Sequence, residues 1–265
     1  MAHILHTDTV AAPAAQALRP ALATNAAMQA RVELAAAFQL AVQHGFDEGV
    51  CNHFSAMVPG CDDLFFVNPF GLAFAEVTAS RLLVCDFDGH VVAGNGTPEA
   101  TAFFIHARLH RLKPRVKVAL HTHMPYATAL AMVEGEPLVW AGQTSLKFYG
   151  RTAVDTHYNG LALDNSEGDR IAQTLGDADV VFLKNHGVLV TGPNIAEAWD
   201  DLYYLERAAQ VQCLAMATGR PLVPVPAELA RQTARAMREG DPASARAHFD
   251  SALRRLRQAG SPFDT

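Results

Sequence analysis

The sequence predicts an α/β protein with antiparallel strand pairing, and three observations carry that expectation. Two short runs, Leu82 to Asp86 and His90 to Ala93, are joined across Asp88-Gly89, a strong signal for a tight hairpin. Apolar residues at Val32, Ala35, Phe38, Leu40 and Val42 recur near helical spacing, so strands share the chain with amphipathic helices. No GxGxxG follows an early strand, and adjacent hairpins argue against a purely parallel dinucleotide-binding sheet.

Bulk composition narrows the function. A chain of 265 residues is long enough for one sizeable hydrophobic core, and half of its residues are apolar, so folding needs no disulfides. With 27 acidic and 21 basic residues the net charge of -6 favours solubility and leaves no basic footprint, so no nucleic-acid partner is expected. Cys51, Cys61, Cys85 and Cys213 contain no CxxC pair and read as reduced, mostly structural thiols. No secretory signal opens the chain, and no apolar stretch approaches the roughly 18 residues of a membrane span. A cytoplasmic protein without membrane partners is expected by elimination.

Residues 1–25, rich in alanine, read as an N-terminal arm. A helix beginning near Met28 ends at Gly45, a suitable C-cap. Leu64 to Val67 reads as a strand closed by Asn68-Pro69-Phe70-Gly71. After the hairpin, Thr97 is the expected N-cap of a helix with Pro98 at its first position and Glu99 in its first turn. That helix runs to about Leu112 and sets Glu99, Phe103, His106 and His110 along one stripe. Arg115 to His123 reads as a strand that Met124-Pro125 redirects into an alanine-rich helix. His157 and Tyr158 fall in a short extended or turn region, residues 167–175 form a modest helix, and Val180 to Leu183 and Val188 to Val190 are strands on either side of His186-Gly187. Ile195 to Thr218 is a long helix ended by Gly219. Pro221, Pro224 and Pro226 break it, and two helices follow over 227–238 and 243–258, with Arg254, Arg255 and Arg257 on a solvated face or a subunit contact. The chain thus divides into the arm, a main domain over 26–219, and a helical extension over 220–265 packed on that domain.

His121 and His123 stand two apart on a strand, so both side chains leave one face. His186 follows another apolar strand and precedes glycine, a place from which a side chain reaches a cleft. Three neutral imidazoles supply most of a catalytic zinc site and leave a position open for water or substrate. One divalent ion per subunit is expected, with Zn2+ first and Mn2+, Fe2+ or Co2+ accepted by the same donors. On spacing alone, a metal site and a set of hydrogen-bonded structural histidines stand level. Around the three, Tyr126 is a candidate proton donor, and His157 with Tyr158 would orient a hydroxyl or a water. His53 would contact a substrate acid, and His106 a ligand or the core backbone. Packing is the competing role for each.

Motif order decides between these readings. Asn52-His53-Phe54-Ser55, Phe66-Val-Asn-Pro-Phe-Gly-Leu72, Glu76 to Ser80, Glu99 with the later His106, Pro114 to His123, Phe148-Tyr-Gly150, Asn185-His-Gly-Val-Leu189 and Ala196-Glu-Ala-Trp199 occur in the order of the class II aldolase/adducin family. The chain resembles its enzymatic branch over roughly residues 28–218. The resemblance implies a three-layer α/β/α sandwich around a mostly antiparallel sheet, a homotetramer with its site near a subunit boundary, and zinc on His121, His123 and His186. It also implies that Glu99 is the acid/base. Where the family's sugar-phosphate aldolases carry G-N-x-S, this chain has Cys51-Asn52-His53-Phe54-Ser55, and where they place serines before the glutamate it has Thr97-Pro98. Asn52, His53, Ser55, Thr97 and Tyr158 are therefore the expected substrate-binding set, with an altered anion cradle that suits a carboxylate or aromatic acid as well as a sugar phosphate. The expected function is a metal-dependent lyase that cleaves a carbon–carbon bond of a small hydroxy-carbonyl or carboxylate substrate through a metal-stabilised enediolate. Decarboxylation of a hydroxyaromatic or keto acid, non-heme iron oxygenation and a non-catalytic scaffold role like that of adducin are the alternatives.

Overall fold

Side-chain alternation assigns each strand's two faces, and the strands were identified in a computed structural model that describes residues 20–160 and 164–265. In chain order they are His53–Met57 (β1), Leu64–Val67 (β2), Leu83–Asp86 (β3), Val91–Ala93 (β4), Val118–Thr122 (β5), Thr152–Asp155 (β6), Val180–Leu183 (β7) and Gly187–Gly192 (β8). Among the described residues they form one sheet in the order β4-β3-β2-β1-β5-β8-β7-β6, antiparallel throughout except for the β6–β7 pair. Phe54, Phe66, Val84, Leu120, Phe182 and Val190 point to one face, and Met57, Val67, Cys85, Ala119, Val181 and Leu189 to the other.

Helices cover both faces, giving the three-layer sandwich. The first face lies against Asn25–His44 (α1), Pro125–Ala131 (α3) and Ile195–Met216 (α6), with the short Gln143–Leu146 (α4) against α6. The second lies against Ala100–Leu112 (α2) and Asn165–Leu175 (α5). α1 begins where Thr24 Oγ1 accepts the Ala27 N–H at 3.1 Å and ends at Gly45, whose φ of 68° is the left-handed value that glycine adopts without cost. The segment expected as an arm lies outside the described residues up to position 19; from Pro20 a single 3-10 turn leads into the cap. No disulfide forms among the described residues.

Two element boundaries differ from expectation. The helix after the hairpin starts at Ala100 with Glu99, not Thr97, as its N-cap. The Thr97 carbonyl accepts the Phe70 N–H at 2.8 Å, which ties that residue to the turn after β2 and delays the helix by two positions. The two C-terminal helices are one, Ala227–Gln258 (α7), running through Pro242. Missing one backbone donor is outweighed by packing on both sides of the proline, where Ala230, Ala234, Ala245, Phe249, Leu253 and Leu256 are buried.

A buried ion network fastens α7 to the sandwich. Lys147, at the end of α4 and 9% exposed, lies 3.1 Å from Asp200, 3.2 Å from Asp201 and 2.8 Å from Asp241, the first two on α6 and the third on α7. Arg151 bridges Asp201 at 2.5 Å and Asp179 at 2.6 Å, and His248 of α7 meets Asp200 at 2.7 Å. Removing one partner from such a cluster strands the others in a poorly solvated site. Lys147→Met is accordingly expected to lower the unfolding free energy by about 3 kcal/mol. Urea denaturation checks this, and a loss no larger than that of an exposed pair would show the network to be solvated.

Candidate metal centre

β5 delivers the first ligand. His121 is flanked in register by His53 of β1 and Leu189 of β8. Its Nδ1 lies 2.9 Å from the Val188 carbonyl, and since a carbonyl only accepts, Nδ1 carries the proton and Nε2 is left as the donor to a cation. His123 stands one residue beyond the strand. The Glu48 carboxylate holds its Nδ1, and its Nε2 is buried with no hydrogen-bond partner among the described residues. His186 sits in the β7–β8 turn after Asn185, which takes a left-handed φ of 58°. Gly187 then passes so close to the end of β5 that a Cβ there would lie 2.6 Å from the Thr122 carbonyl oxygen and 2.7 Å from the His123 ring. Only glycine allows that approach.

The three histidines converge. Their potential ligand atoms lie within 4.8 Å of one another, and the ring centroids are 5.1, 4.8 and 4.9 Å apart. Burial, and then the neighbouring imidazoles, hold His121 well below the usual histidine range and push His186 down to about 4. Both are therefore neutral near pH 7, as a metal ligand must be. An orphaned Nε2 on His123, a fixed tautomer on His121 and all-nitrogen donors fit a divalent ion of the transition series or zinc. A buried nitrogen without a partner would otherwise be a cost with no return.

The other expected residues are distributed unevenly around this trio. Glu99 Oε2 accepts the Ala102 N–H at 2.8 Å and the Thr101 hydroxyl, so the carboxylate caps α2 and is not one of the groups clustered with the histidines. Tyr158 is more than half exposed, with its ring 6.3 Å from that of His186. His157 is exposed beside it, its Nδ1 3.2 Å from the Thr156 hydroxyl. Asn52 and Thr97 are drawn to one turn: Asn68 Nδ2 donates to the Asn52 carbonyl at 3.3 Å, and Phe70 N–H to that of Thr97. Asn52 is buried with both amide atoms unpaired among the described residues.

Two further expected residues are engaged within the fold. Tyr126, a candidate proton donor, packs its ring partly buried against the core on the α1 and α6 side, the face opposite His121. Ser55, expected to bind substrate, is fully buried, with its hydroxyl between His106 and His110 of α2. The small polar side chain at an inward strand position is consumed by the helix above it. Sequence reasoning missed Glu48, which orients His123, and Glu206 of α6, whose oxygens accept the Tyr126 and Ala127 N–H groups, each at 2.8 Å, and so clamp the start of α3 just after His123. Neither bears a spacing relation to the histidines. For Glu206, the unsatisfied donors of a helix start are the one available signal.

With this geometry in place, comparison with known proteins is decisive. Residues 32–213 match the family model for the class II aldolase and adducin N-terminal domain. The chain belongs to this family. An aldolase II superfamily protein from Pseudomonas syringae superposes with a TM-score of 0.86 at 33% identity, covering 91% of this chain and 97% of that one. The L-fuculose 1-phosphate aldolase from Glaciozyma antarctica PI12 gives 0.79 at 27% identity over 89% and 92%. The 4-hydroxy-3-prenylphenylpyruvate oxygenase/4-hydroxy-3-prenylbenzoate synthase of Streptomyces roseochromogenus subsp. oscitans is 34% identical over 71% of this chain and 68% of that protein. The histidine trio in a class II aldolase fold supports catalytic, metal-dependent activity of the carbon–carbon lyase type.

The buried histidines make stability depend on pH. Burial pushes His110 down to about 4 and His106 well below the usual range. An unfolded histidine titrates near 6.5, so below that pH the unfolded state binds more protons, and stability present in full above about 6.5 is lost as pH falls toward 4. Each such histidine contributes a slope of up to about 1.4 kcal/mol per pH unit. Urea unfolding of the metal-free protein at pH 7.5 and 5.5 reads the slope; equal stability at the two would refute it.

Proposed function

We propose that this protein is a zinc-dependent lyase of the aldolase type acting on a small hydroxy-carbonyl or keto-acid substrate. What supports the reading above all is the convergence of three neutral imidazoles, one with an orphaned buried nitrogen, in a class II aldolase domain. His121, His123 and His186 would hold the ion, and Mn2+, Fe2+ and Co2+ suit the same donors. When bound, a divalent cation supplies Lewis acidity to a carbonyl oxygen and stabilises negative charge developing beside it.

The chain's own groups do the rest. Glu99 moves the proton at the nucleophilic carbon: both of its hydrogen bonds fall on Oε2, which fixes the carboxylate and leaves Oε1 to take and return a proton. Tyr158 and His157, exposed at the His186 side, meet a substrate hydroxyl or a water that carries its proton. Asn52 offers an unpaired amide, and Thr97 stands beside the same turn. With Thr97-Pro98 ahead of the glutamate and His53 after Asn52, this side is poor in the small hydroxyl donors that surround a phosphate, which favours an uncharged hydroxyl group there.

We further propose a cytoplasmic homotetramer with a catalytic domain over 26–219, an N-terminal arm over 1–25 and a helical extension over 220–265. No helix among the described residues is long and apolar enough to cross a membrane. A second reading, iron-dependent oxygenation of a hydroxyaromatic acid, is favoured by the Streptomyces oxygenase relative, since three histidines also accept Fe2+.

Metal analysis followed by a screen of hydroxy-keto acids, sugar phosphates and hydroxyaromatic carboxylates tests both readings, with aldehyde, carbon dioxide and oxygen uptake followed separately. Aldehyde release without oxygen uptake is expected; oxygen consumption would move the assignment to the second reading. His121→Ala and His123→Ala should each lose the metal, whereas Glu99→Gln should retain it and lose about 100-fold or more in turnover. Near-normal kinetics in Glu99→Gln would remove the carboxylate from the mechanism.

A further inference from the structure

The face of the sheet under α2 is apolar apart from one line of polar residues. Met57, Phe65, Val67, Leu83, Phe103 and Ala107 fill most of it. Through them run His53 and Ser55 of β1 and His106 and His110 of α2, none more than 3% exposed. They are hydrogen-bonded in series. His110 Nδ1 lies 3.0 Å from the Val116 carbonyl and its Nε2 2.7 Å from Ser55 Oγ; Ser55 Oγ also meets His106 Nδ1; and His106 Nε2 is 2.7 Å from His53 Nδ1.

One end of this series fixes every proton in it. The Val116 carbonyl can only accept, so His110 carries its hydrogen on Nδ1. Its Nε2 is then an acceptor, and the Ser55 hydroxyl must donate to it. Ser55 Oγ therefore accepts from His106 Nδ1–H, which leaves His106 Nε2 to accept from His53 Nδ1–H. All three rings are buried, and their hydrogen bonds among the described residues run only to one another, to Ser55 and to the Val116 carbonyl, so no counter-charge holds a second proton on any of them. His53 must consequently keep Nε2 bare.

His53 is where the series meets the metal centre. It pairs in register with His121, and the two rings lie 4.8 Å apart with 31° between their planes. A network that only pinned α2 to the sheet would be complete at Ser55 and His110. Its continuation to His53, beside His121, goes further than that pinning requires, and each added polar group raises the cost of an imperfect network.

We propose that His53 is a specificity residue: the series places its hydrogen on Nδ1, and the bare Nε2 accepts a hydrogen bond from a hydroxyl of the substrate and disfavours a phosphate or carboxylate at the same place. Ser55, His106 and His110 are positioning residues that act through it. This rests on the metal-lyase reading and sharpens its substrate class to compounds with a free alcohol or phenol hydroxyl close to the metal-binding carbonyl. An anion brings no proton to a bare imidazole nitrogen, so its negative charge faces a lone pair there.

Two measurements test it on the intact zinc-loaded protein. Long-range 1H–15N spectra of the histidine-labelled wild type report tautomers directly, and His53, His106 and His110 should all appear with the proton on Nδ1. Ser55→Ala should release the lock, so that His53 and His106 populate both tautomers. Titration with glycolohydroxamate and acetohydroxamate, which share a metal-binding group and differ by one hydroxyl, should show an advantage of about fivefold to tenfold for the former. His53→Phe should abolish that advantage and leave acetohydroxamate affinity within about twofold. A His53 proton on Nε2 in the wild type, or an equal loss for both probes in the variant, would overturn the inference. Failure of either probe to bind would count against the metal reading instead, and the tautomer spectra would still decide the chain of protons.

Discussion

The hydrogen bond from His121 Nδ1 to the Val188 carbonyl joins the chemistry to the fold. Val188 is paired with Thr122 in the β5–β8 ladder, so the bond that selects the ligand nitrogen is made by the sheet itself. The same register brings His186-Gly187 to the end of β5, and Gly187 admits the His123 ring at a distance no other residue tolerates. A one-residue slip of β8 would turn Val188 to the other face and remove the carbonyl, the turn histidine and the close approach together. Register is held against such a slip by Val188 and Val190 on one side and Leu189 on the other, all buried.

How much of this was legible in the sequence follows from the range of each interaction. His121 and His123 are legible because strand period is local, and His186 because it follows an apolar strand and precedes a glycine. The β3–β4 hairpin and the Gly45 cap were likewise written in short segments. Glu48, 75 positions from His123 in sequence, and Glu206, 80 from Tyr126, left no trace because only the folded chain brings them close. The helix boundary at Glu99 was misplaced for a related reason. Thr97 is the better N-cap by local preference, and a bond to Phe70 removed it from competition. Pro242 gave a similar false stop, since packing along α7 outweighs one lost donor.

The two faces of the sheet divide the work. The face under α1 and α6 is filled with Phe54, Phe66, Leu120, Phe182 and Val190 and holds the domain together through apolar burial. The face under α2 is thinner in apolar contact and carries polar side chains at His53, Ser55 and His121 instead. Polar groups survive there because the series from the Val116 carbonyl to His53 Nδ1 is hydrogen-bonded at every step. The Lys147 and Arg151 network lies apart, with α4, α6 and α7, where it fastens the extension, while Glu48 brings a carboxylate to the His123 ring.

α2 joins the Glu99 cap to the buried histidine series. Glu99 caps its first turn, and His106 and His110 follow about two and three turns later on the side that meets the sheet. Because the cap fixes Oε2 while the histidines fix the helix against β1, the position of Glu99 relative to β1 is set by one rigid element. Displacing α2 would therefore disturb the carboxylate and the His53 nitrogen together. That shared support is what two buried histidines on a single strand serine supply: they hold the Glu99 cap of α2 in place against β1.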